Sequence, residues 1–329
     1  MSGVSGPLRL ASLDLGTNST RLLVADCDGR KTGTVDRRMV ITRLGEGVDA
    51  THHLAPAAVN RTRTALEGFA AVMRPLGPAG ITAAATSALR DCDNGAEFLD
   101  DAEAILGTRP VILDGDDEAR LSYLGAASDL EGEVPDGAGP VLVFDIGGGS
   151  TEMVLGDWPV TGENGAPALA GLLAGSADVG CVRMTERFLK TSDPPSPVSV
   201  GRMESHVVAR LKPSLEMLLR EKRPVLAVGL AGTVTTLSGI NLGLKEYETR
   251  RIHHSRLTRR QVEEMFVRLA SAPLAERREI MGLEPGRADI IVGGAAVLRV
   301  VMDLAGLDEV LVSEKDILDG LLINLYHRR

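Results

Sequence analysis

Two stretches of this sequence share one layout. Asp14-Leu-Gly-Thr-Asn-Ser and Asp145-Ile-Gly-Gly-Gly-Ser each close an apolar, strand-like run, at residues 8–13 and 141–145. Each then leads into a second strand-like run, at residues 21–26 and 151–155. The pattern predicts two β-hairpins with polar, Gly-rich tips. Recurrence about one domain's length downstream predicts two related β/α domains, each presenting its tip to a shared cleft. The 329 residues suit two domains at roughly 100–200 residues each.

Between the tips, periodicity predicts a third strand at 33–42, helices at 56–73, 94–106 and 117–127, and strands at 81–86 and 111–113. Beyond the second tip it predicts a helix at 199–221, a buried strand at 225–228 and a helix at 233–242. From residue 258 the chain reads as mostly helical, broken by a short strand at 309–312. Residues 131–140, 157–167 and 192–197 read as loops.

Charge and aromatic content exclude several functions. The net charge is −9 and aromatics make up 3%. A nucleic-acid surface needs a basic stripe, and single-strand binding needs stacking platforms; no nucleic-acid partner is expected. An acidic chain can still hold a polyanion in a local pocket of Arg, backbone N–H groups and metal ions. No apolar run is long enough for a membrane helix, and residues 1–10 lack the form of a signal peptide. The expectation is a cytoplasmic protein with no membrane partner. Cys27, Cys92 and Cys181 show no metal spacing, and the six histidines show no zinc motif.

The tips carry the chemistry. A Gly-rich turn lets backbone N–H groups converge on phosphate oxygens. Gly16, Thr17, Asn18 and Ser19, and then Gly147, Gly148, Gly149, Ser150 and Thr151, are the candidate phosphate ligands. Asp14, Asp145 and Glu152 are candidates for the shell of Mg2+ or Mn2+, hard ions that carboxylate and phosphate oxygens suit. One such tip could be only a tight turn; two matched tips favour a site. Neither fits the P-loop pattern, and the Gly run opens into a strand, unlike a Rossmann loop.

Arg21 lies past the first tip and Arg90 past the strand at 81–86, where guanidinium forks could grip phosphate bidentately. Asp114-Gly-Asp-Asp-Glu118 opens a helix. Carboxylates there complement the helix dipole, or one of them serves as a base for water. Gly232 and Thr233, between a buried strand and a helix, allow either close approach to a ligand or tight packing. The Arg-dense segments 250–260 and 277–278 read as solvated faces.

Taken in order, D-L-G-T-N-S-T-R (14–21), R-L-G-E-G-V-D-A (43–50), A-T-S-A-L-R-D (85–91), D-D-E-A-R (116–120) and D-I-G-G-G-S-T-E (145–152) resemble the exopolyphosphatase / guanosine pentaphosphate phosphohydrolase family. G-L-A-G-T-V-T-T-L (229–237), G-R-A-D-I-I-V-G-G-A (286–295) and S-E-K-D-I-L-D-G (313–320) extend the resemblance to nearly the whole chain. It implies an α/β, two-lobed actin/hexokinase-like fold. The expected first lobe spans residues 1–125, completed by a helix at 315–329, and the second spans 126–314. The resemblance places the catalytic glutamate on Glu118 and the phosphate-gripping arginines on Arg21 and Arg90. Asp114-Gly-Asp-Asp departs from the family's more usual Ser-Gly-Glu-Glu, but position 118 keeps its Glu. The chain resembles the short form, without a C-terminal HD-type region, and a homodimer is implied.

The implied activity is metal-dependent release of terminal phosphate from polyphosphate, short chains foremost. Guanosine pentaphosphate is the alternative substrate. A kinase on the same fold usually uses an Asp base, and an intact Glu118 and Asp145 argue against a non-catalytic sensor.

Overall fold

The computed structural model describes residues 6–135, 139–159, 171–220 and 222–329. The chain forms two compact units, Met1–Glu131 with Pro159–Gly171 and Lys315–Arg329, and Gly132–Trp158 with Leu172–Glu314. The first contains β1 (Leu8–Leu15), β2 (Ser19–Cys27), β3 (Thr32–Ile41), α1 (Val48–Thr51), α2 (Pro56–Leu76), β4 (Gly80–Ala85), α3 (Ser87–Arg90), α4 (Gly95–Leu106), β5 (Val111–Ile112) and α5 (Gly115–Ala127). The second contains β6 (Pro140–Ile146), β7 (Thr151–Asp157), β8 (Leu173–Ala177), α6 (Cys181–Met184), α7 (Pro197–Leu218), β9 (Leu226–Leu230), α8 (Ala231–Asn241), α9 (Thr249–Ile252), β10 (Arg256–Thr258), α10 (Arg259–Ser271), α11 (Leu274–Arg277), α12 (Ile291–Ala305) and β11 (Glu309–Val312). A final helix, α13 (Ile317–His327), belongs to the first unit.

The repeat seen in the sequence is a repeat of topology. One sheet runs β3-β2-β1-β4-β5 and the other β10-β11-β9-β6-β7-β8. β1 is antiparallel to β2 and parallel to β4; β6 is antiparallel to β7 and parallel to β9. Reading β8-β7-β6-β9-β11 against β3-β2-β1-β4-β5 gives the same order and directions, with β10 added at one edge. Two α/β units of one topology are the architecture that the actin/hexokinase-like expectation requires.

Strand β1 is buried on both faces, which explains its unbroken apolar run. Ala11, Leu13 and Leu15 pack with Leu66, Phe69 and Met73 of α2 and with Phe98 and Leu99 of α4. Leu10, on the other face, joins Leu23, Leu124 of α5 and Leu318, Leu322 and Ile323 of α13. Helices α5 and α13 approach closely: a Cβ on Gly125 would lie 1.8 Å from the Asp316 carbonyl oxygen, and one on Gly320 1.9 Å from that of Leu121. This packing fixes α5, which carries Glu118. Among the described residues no helix is long and apolar enough to cross a membrane.

Several expectations need correction. Strands β8 and β10 were not expected. β8, Leu-Ala-Gly-Ser-Ala, has small residues and little β-propensity; its partner β7 recruits it. The helix expected at 199–221 is Pro197–Leu218, because Ser196 caps it, accepting from the Ser199 N–H, and proline suits its first turn. Helix α5 starts two residues before the expected 117, since Asp114 is its cap and accepts from the Asp117 N–H at 2.8 Å. In the expected loop 157–167, Asp157 ends β7 and residues 160–167 lie outside the described residues, as do 136–138 in the loop at 131–140 and Glu221.

A buried charge network ties α13 to the first sheet. Arg37 of β3 pairs with Asp316 at 2.9 Å and Asp319 at 3.1 Å. Lys315 donates to Asp319 at 3.0 Å and to the Thr32 hydroxyl at 2.6 Å. Arg21 of β2 also pairs with Asp316. Burial opposes ionisation of Asp316, but the Arg21 and Arg37 guanidinium groups outweigh it and hold the carboxyl below its ordinary 3.8. A depressed folded pKa contributes stability that is present above the ordinary value and lost as pH falls through the folded one. Asp316→Asn is therefore expected to lose about 3–5 kcal/mol at pH 7 by urea unfolding. The gap to wild type should close as the pH drops below 3.8. An undiminished gap in acid would show that the loss is steric and not electrostatic.

Candidate active site

Each hairpin tip is closed by one hydrogen bond of the same kind. The Gly16 N–H donates to the Ser19 carbonyl at 3.1 Å, and the Gly147 N–H to that of Ser150 at 3.1 Å. Each tip is also backed by a segment that follows the third strand of its sheet. The Thr17 and Asn18 carbonyls accept from the Gly45 and Arg43 N–H groups at 2.8 and 2.9 Å. The Gly147 carbonyl accepts from the Cys181 N–H at 3.0 Å, and that of Gly148 from Val182 and Arg183 at 2.8 and 3.1 Å. The Gly149 carbonyl accepts from Arg183 Nε at 2.7 Å. A trans peptide points its carbonyl and the following N–H in opposite directions. Drawing the carbonyls back therefore turns the N–H groups of Asn18 and Ser19, and of Gly148, Gly149 and Ser150, away from the backing segments. N–H groups turned outward in this way are available to an anion, which is the role expected of both tips.

Behind the tips the two hairpins carry different charges at equivalent positions. In the first, Asp14 lies opposite Arg21, and its Oδ2 accepts from Arg21 Nε and Nη2 at 2.8 and 2.7 Å. In the second, Asp145 lies opposite Glu152. Both are buried, and Glu152 Oε1 accepts from the Ser176 hydroxyl of β8 at 3.0 Å. Directly opposed carboxylates repel, and a hard divalent cation with oxygen ligands relieves that. The donor set of Asp145 and Glu152 thus fits Mg2+ or Mn2+. Asp14 is already ion-paired, although burial still pushes its pKa up against the pull of Arg21. Asp14 Oδ1 and both polar atoms of the Asn18 side chain are buried and lack a hydrogen-bond partner among the described residues. Unsatisfied buried groups mark a place where a ligand, water or ion belongs.

The remaining tip hydroxyls divide. Thr17 shares a hydrogen with Ser87 at 2.7 Å, and Thr151 donates to the Val179 carbonyl at 2.6 Å. These two brace their loops. Ser150 is buried at the second tip. Ser87 opens α3, whose last residue is Arg90.

Arg90 and Glu118 are brought together. Arg90 Nη1 donates to the Leu113 carbonyl at 2.9 Å and to Glu118 Oε2 at 3.2 Å. The acidic run at the start of α5 separates by role. Asp114 caps the helix, Asp116 and Asp117 remain outside the core, and Glu118 is buried. An ion-paired, buried carboxylate of fixed orientation is a proton acceptor that can be aimed at one water.

At the start of α8, the space that a Cβ on Gly232 would need is filled by Arg287: Nη1 would lie 1.9 Å away. Thr233 is buried beside it. Sequence reasoning did not single out Arg287; G-R-A-D-I-I was quoted without a role for its arginine. It also left Arg37, Arg183 and Asp316 unassigned. The reading of 277–278 as a solvated face is corrected at Arg277, which is 5% exposed and donates to the Leu269 carbonyl and Asp193. The exposed Arg260 pairs with Glu264 and Arg256 with Glu309. His253 and His254, also unassigned, stack with ring centroids 3.9 Å apart.

Exopolyphosphatase 2 of Mycobacterium tuberculosis is 40% identical over 330 residues, covering 96% of this chain and 98% of that protein. A solved exopolyphosphatase-like protein superposes with a TM-score of 0.87 at 35% identity, covering 98% of this chain and 99% of its own. The Aquifex aeolicus Ppx/GppA family member superposes with a TM-score of 0.77 at 28% identity, with 98% of each chain covered. The Ppx/GppA phosphatase family profile matches residues 23–329, and the chain belongs to that family.

Proposed function

We propose that the chain is an exopolyphosphatase that hydrolytically releases terminal orthophosphate from inorganic polyphosphate, short chains foremost. The observation that carries the reading is the pair of matched phosphate-type tips, one backed by an Asp–Arg pair and the other by two opposed carboxylates. The 40% identity to an exopolyphosphatase supports the substrate class. A cytoplasmic homodimer completes the reading, on family resemblance.

The roles follow from the chemistry of each group. The N–H groups of the second tip bind phosphoryl oxygens, as those of the first can. Arg90 holds Glu118 in one orientation and offers its remaining N–H groups to the terminal phosphoryl group. Glu118 accepts a proton as a water oxygen attacks the terminal phosphorus in line, and the P–O bond to the shortened chain breaks. Asp145 and Glu152 would hold a divalent cation, which when bound would neutralise part of the phosphate charge. Arg21, clamped between Asp14 and Asp316, sets the first tip from behind and leaves most of the gripping to Arg90. Phosphoryl transfer rests chiefly on such positioning and charge stabilisation.

Phosphate release, measured over a panel of polyphosphate lengths, guanosine pentaphosphate and phosphoryl acceptors, tests the substrate class. Release from guanosine pentaphosphate alone would move the chain to the alternative activity, and acceptor-dependent turnover would make it a kinase.

Three further outcomes are expected. Glu118→Gln should lower kcat by about 10²–10⁴, the range for a positioned general base, while substrate affinity stays near wild type. Retention of more than roughly a tenth of kcat would place the base elsewhere. Exhaustive chelation should abolish turnover and added Mg2+ or Mn2+ restore it, with Asp145→Ala shifting the metal titration to higher concentration. Undiminished activity in chelator would remove the metal from the mechanism. Finally, a processive enzyme needs an extended basic track whose affinity falls steeply with salt, as polyanion binding does for nucleic acids. Here the net charge is −9, and Arg256, Arg259 and Arg260 are each paired with a carboxylate. A gel time course on long, uniform polyphosphate should show the whole population shortening gradually; full-length chains beside fully degraded product would mean processive digestion.

A further inference from the structure

We propose that Arg183 is a positioning residue that sets the anion-binding face of the tip at residues 147–150. The proposal rests on the reading of that tip as a phosphate loop. In the first hairpin the equivalent carbonyl, that of Asn18, accepts from a backbone donor, the Arg43 N–H at 2.9 Å. In the second hairpin the Gly149 carbonyl accepts from a side chain, Arg183 Nε at 2.7 Å. The Gly149–Ser150 peptide is one rigid plane, so the bond that draws back the Gly149 carbonyl also aims the Ser150 N–H. Three consecutive glycines have no side chains to hold the loop; backbone N–H groups of residues 181–183 hold the Gly147 and Gly148 carbonyls, and the Arg183 side chain holds that of Gly149.

The surroundings leave Arg183 little freedom. It is 9% exposed. Its own N–H bonds the Gly148 carbonyl, so one residue engages two successive peptides of the tip. The segment before it is pressed against the loop: a Cβ on Gly180 would lie 2.5 Å from the Gly148 carbonyl oxygen and 2.6 Å from the Gly149 nitrogen. Thr151 is anchored to the Val179 carbonyl at 2.6 Å. Arg183 therefore acts through the loop, by orienting amides, and does not touch substrate.

The test uses the full chain labelled with 15N-glycine and 15N-serine and titrated with inorganic orthophosphate, which is not turned over. In wild type the Gly148, Gly149 and Ser150 amide resonances should move and saturate. In Arg183→Met, which keeps the apolar stem and removes the donor, the same resonances should need roughly 10-fold more phosphate, the scale of one lost hydrogen bond. kcat/KM for tripolyphosphate should fall on the order of 10²-fold, as when an oriented anion donor is lost. Arg183→Lys, which keeps charge but not the planar fork, should fall between the two; it carries the test if the Met variant does not fold. Wild-type phosphate affinity in either folded variant overturns the proposal, even if the melting temperature has dropped. Loop amides that do not respond to phosphate in wild type would instead overturn the reading of the tip as a phosphate loop.

Discussion

A hairpin tip that is to hold an anion must turn its carbonyl oxygens away, and the rest of this structure follows from how that is done. The carbonyls carry partial negative charge and would repel phosphate, and a turn of glycines has no side chains to fix their direction. Both tips solve this by backing the turn with a segment from beyond the third strand of the same sheet. Residues 43–45 serve the first tip and residues 180–183 the second. The antiparallel trio of strands thus supports the tips as well as the core. The third strand exists to return the chain to a place where its N–H groups can meet the tip's carbonyls.

Where the tip enters its strands, the charge at one pair of positions decides what each unit can do. Asp14 opposite Arg21 is an internally neutral pair, and its stability comes from a wider network through Asp316, Arg37 and Asp319. A buried charge that loses its partner is costly, and one that keeps several is fixed in place. The outcome is a first tip whose position depends on a helix at the far end of the sequence. Asp145 stands opposite Glu152 instead, so two buried carboxylates occupy the equivalent register position; under the proposed function this is the pair that would hold a divalent ion. One topology therefore carries an Asp–Arg pair in one unit and an Asp–Glu pair in the other.

What could be read in the sequence, and what could not, divides along the range of the interaction. The tips were legible as matched hairpins because strand, Asp, Gly-rich turn and strand are contiguous and the layout recurs. Glu118 was assigned through resemblance; locally it was one of several acids in a helix start, and only folding shows Asp114 committed to the cap and Glu118 to Arg90. Strand β8 was illegible from composition, since Leu-Ala-Gly-Ser-Ala carries no β signature. The repeat itself held the missing signal: if the first hairpin is followed by a third strand, the second should be too. Asp316, Arg37 and Arg183 act across hundreds or tens of residues of sequence, and no spacing rule connects them. Arg277 misled because a pair of adjacent arginines looks solvated, while its burial depends on Asp193 and Leu269 arriving from other segments.

The duplication also shows how one repeated topology carries different side chains at equivalent places. The turn hydrogen bond, the strand order and the backing segment are shared by both units, so none of them distinguishes one tip from the other. The differences are confined to what fills equivalent places: Arg21 against Glu152, Thr17-Asn18 against Gly148-Gly149, and the backbone donor of Arg43 against the side chain of Arg183. These differences are coupled. A tip with Thr and Asn has side chains that can brace the turn, as the Thr17–Ser87 bond does, and a backbone donor behind it is sufficient. A tip of bare glycines allows the closest approach to phosphate but has no side chain to brace it, so backbone donors hold its first two carbonyls and a long side chain reaches in to hold the third. The close approach that glycine permits and the reach that arginine provides are two halves of one arrangement, and replacing the arginine alone would leave the Gly149 carbonyl without the donor that draws it back.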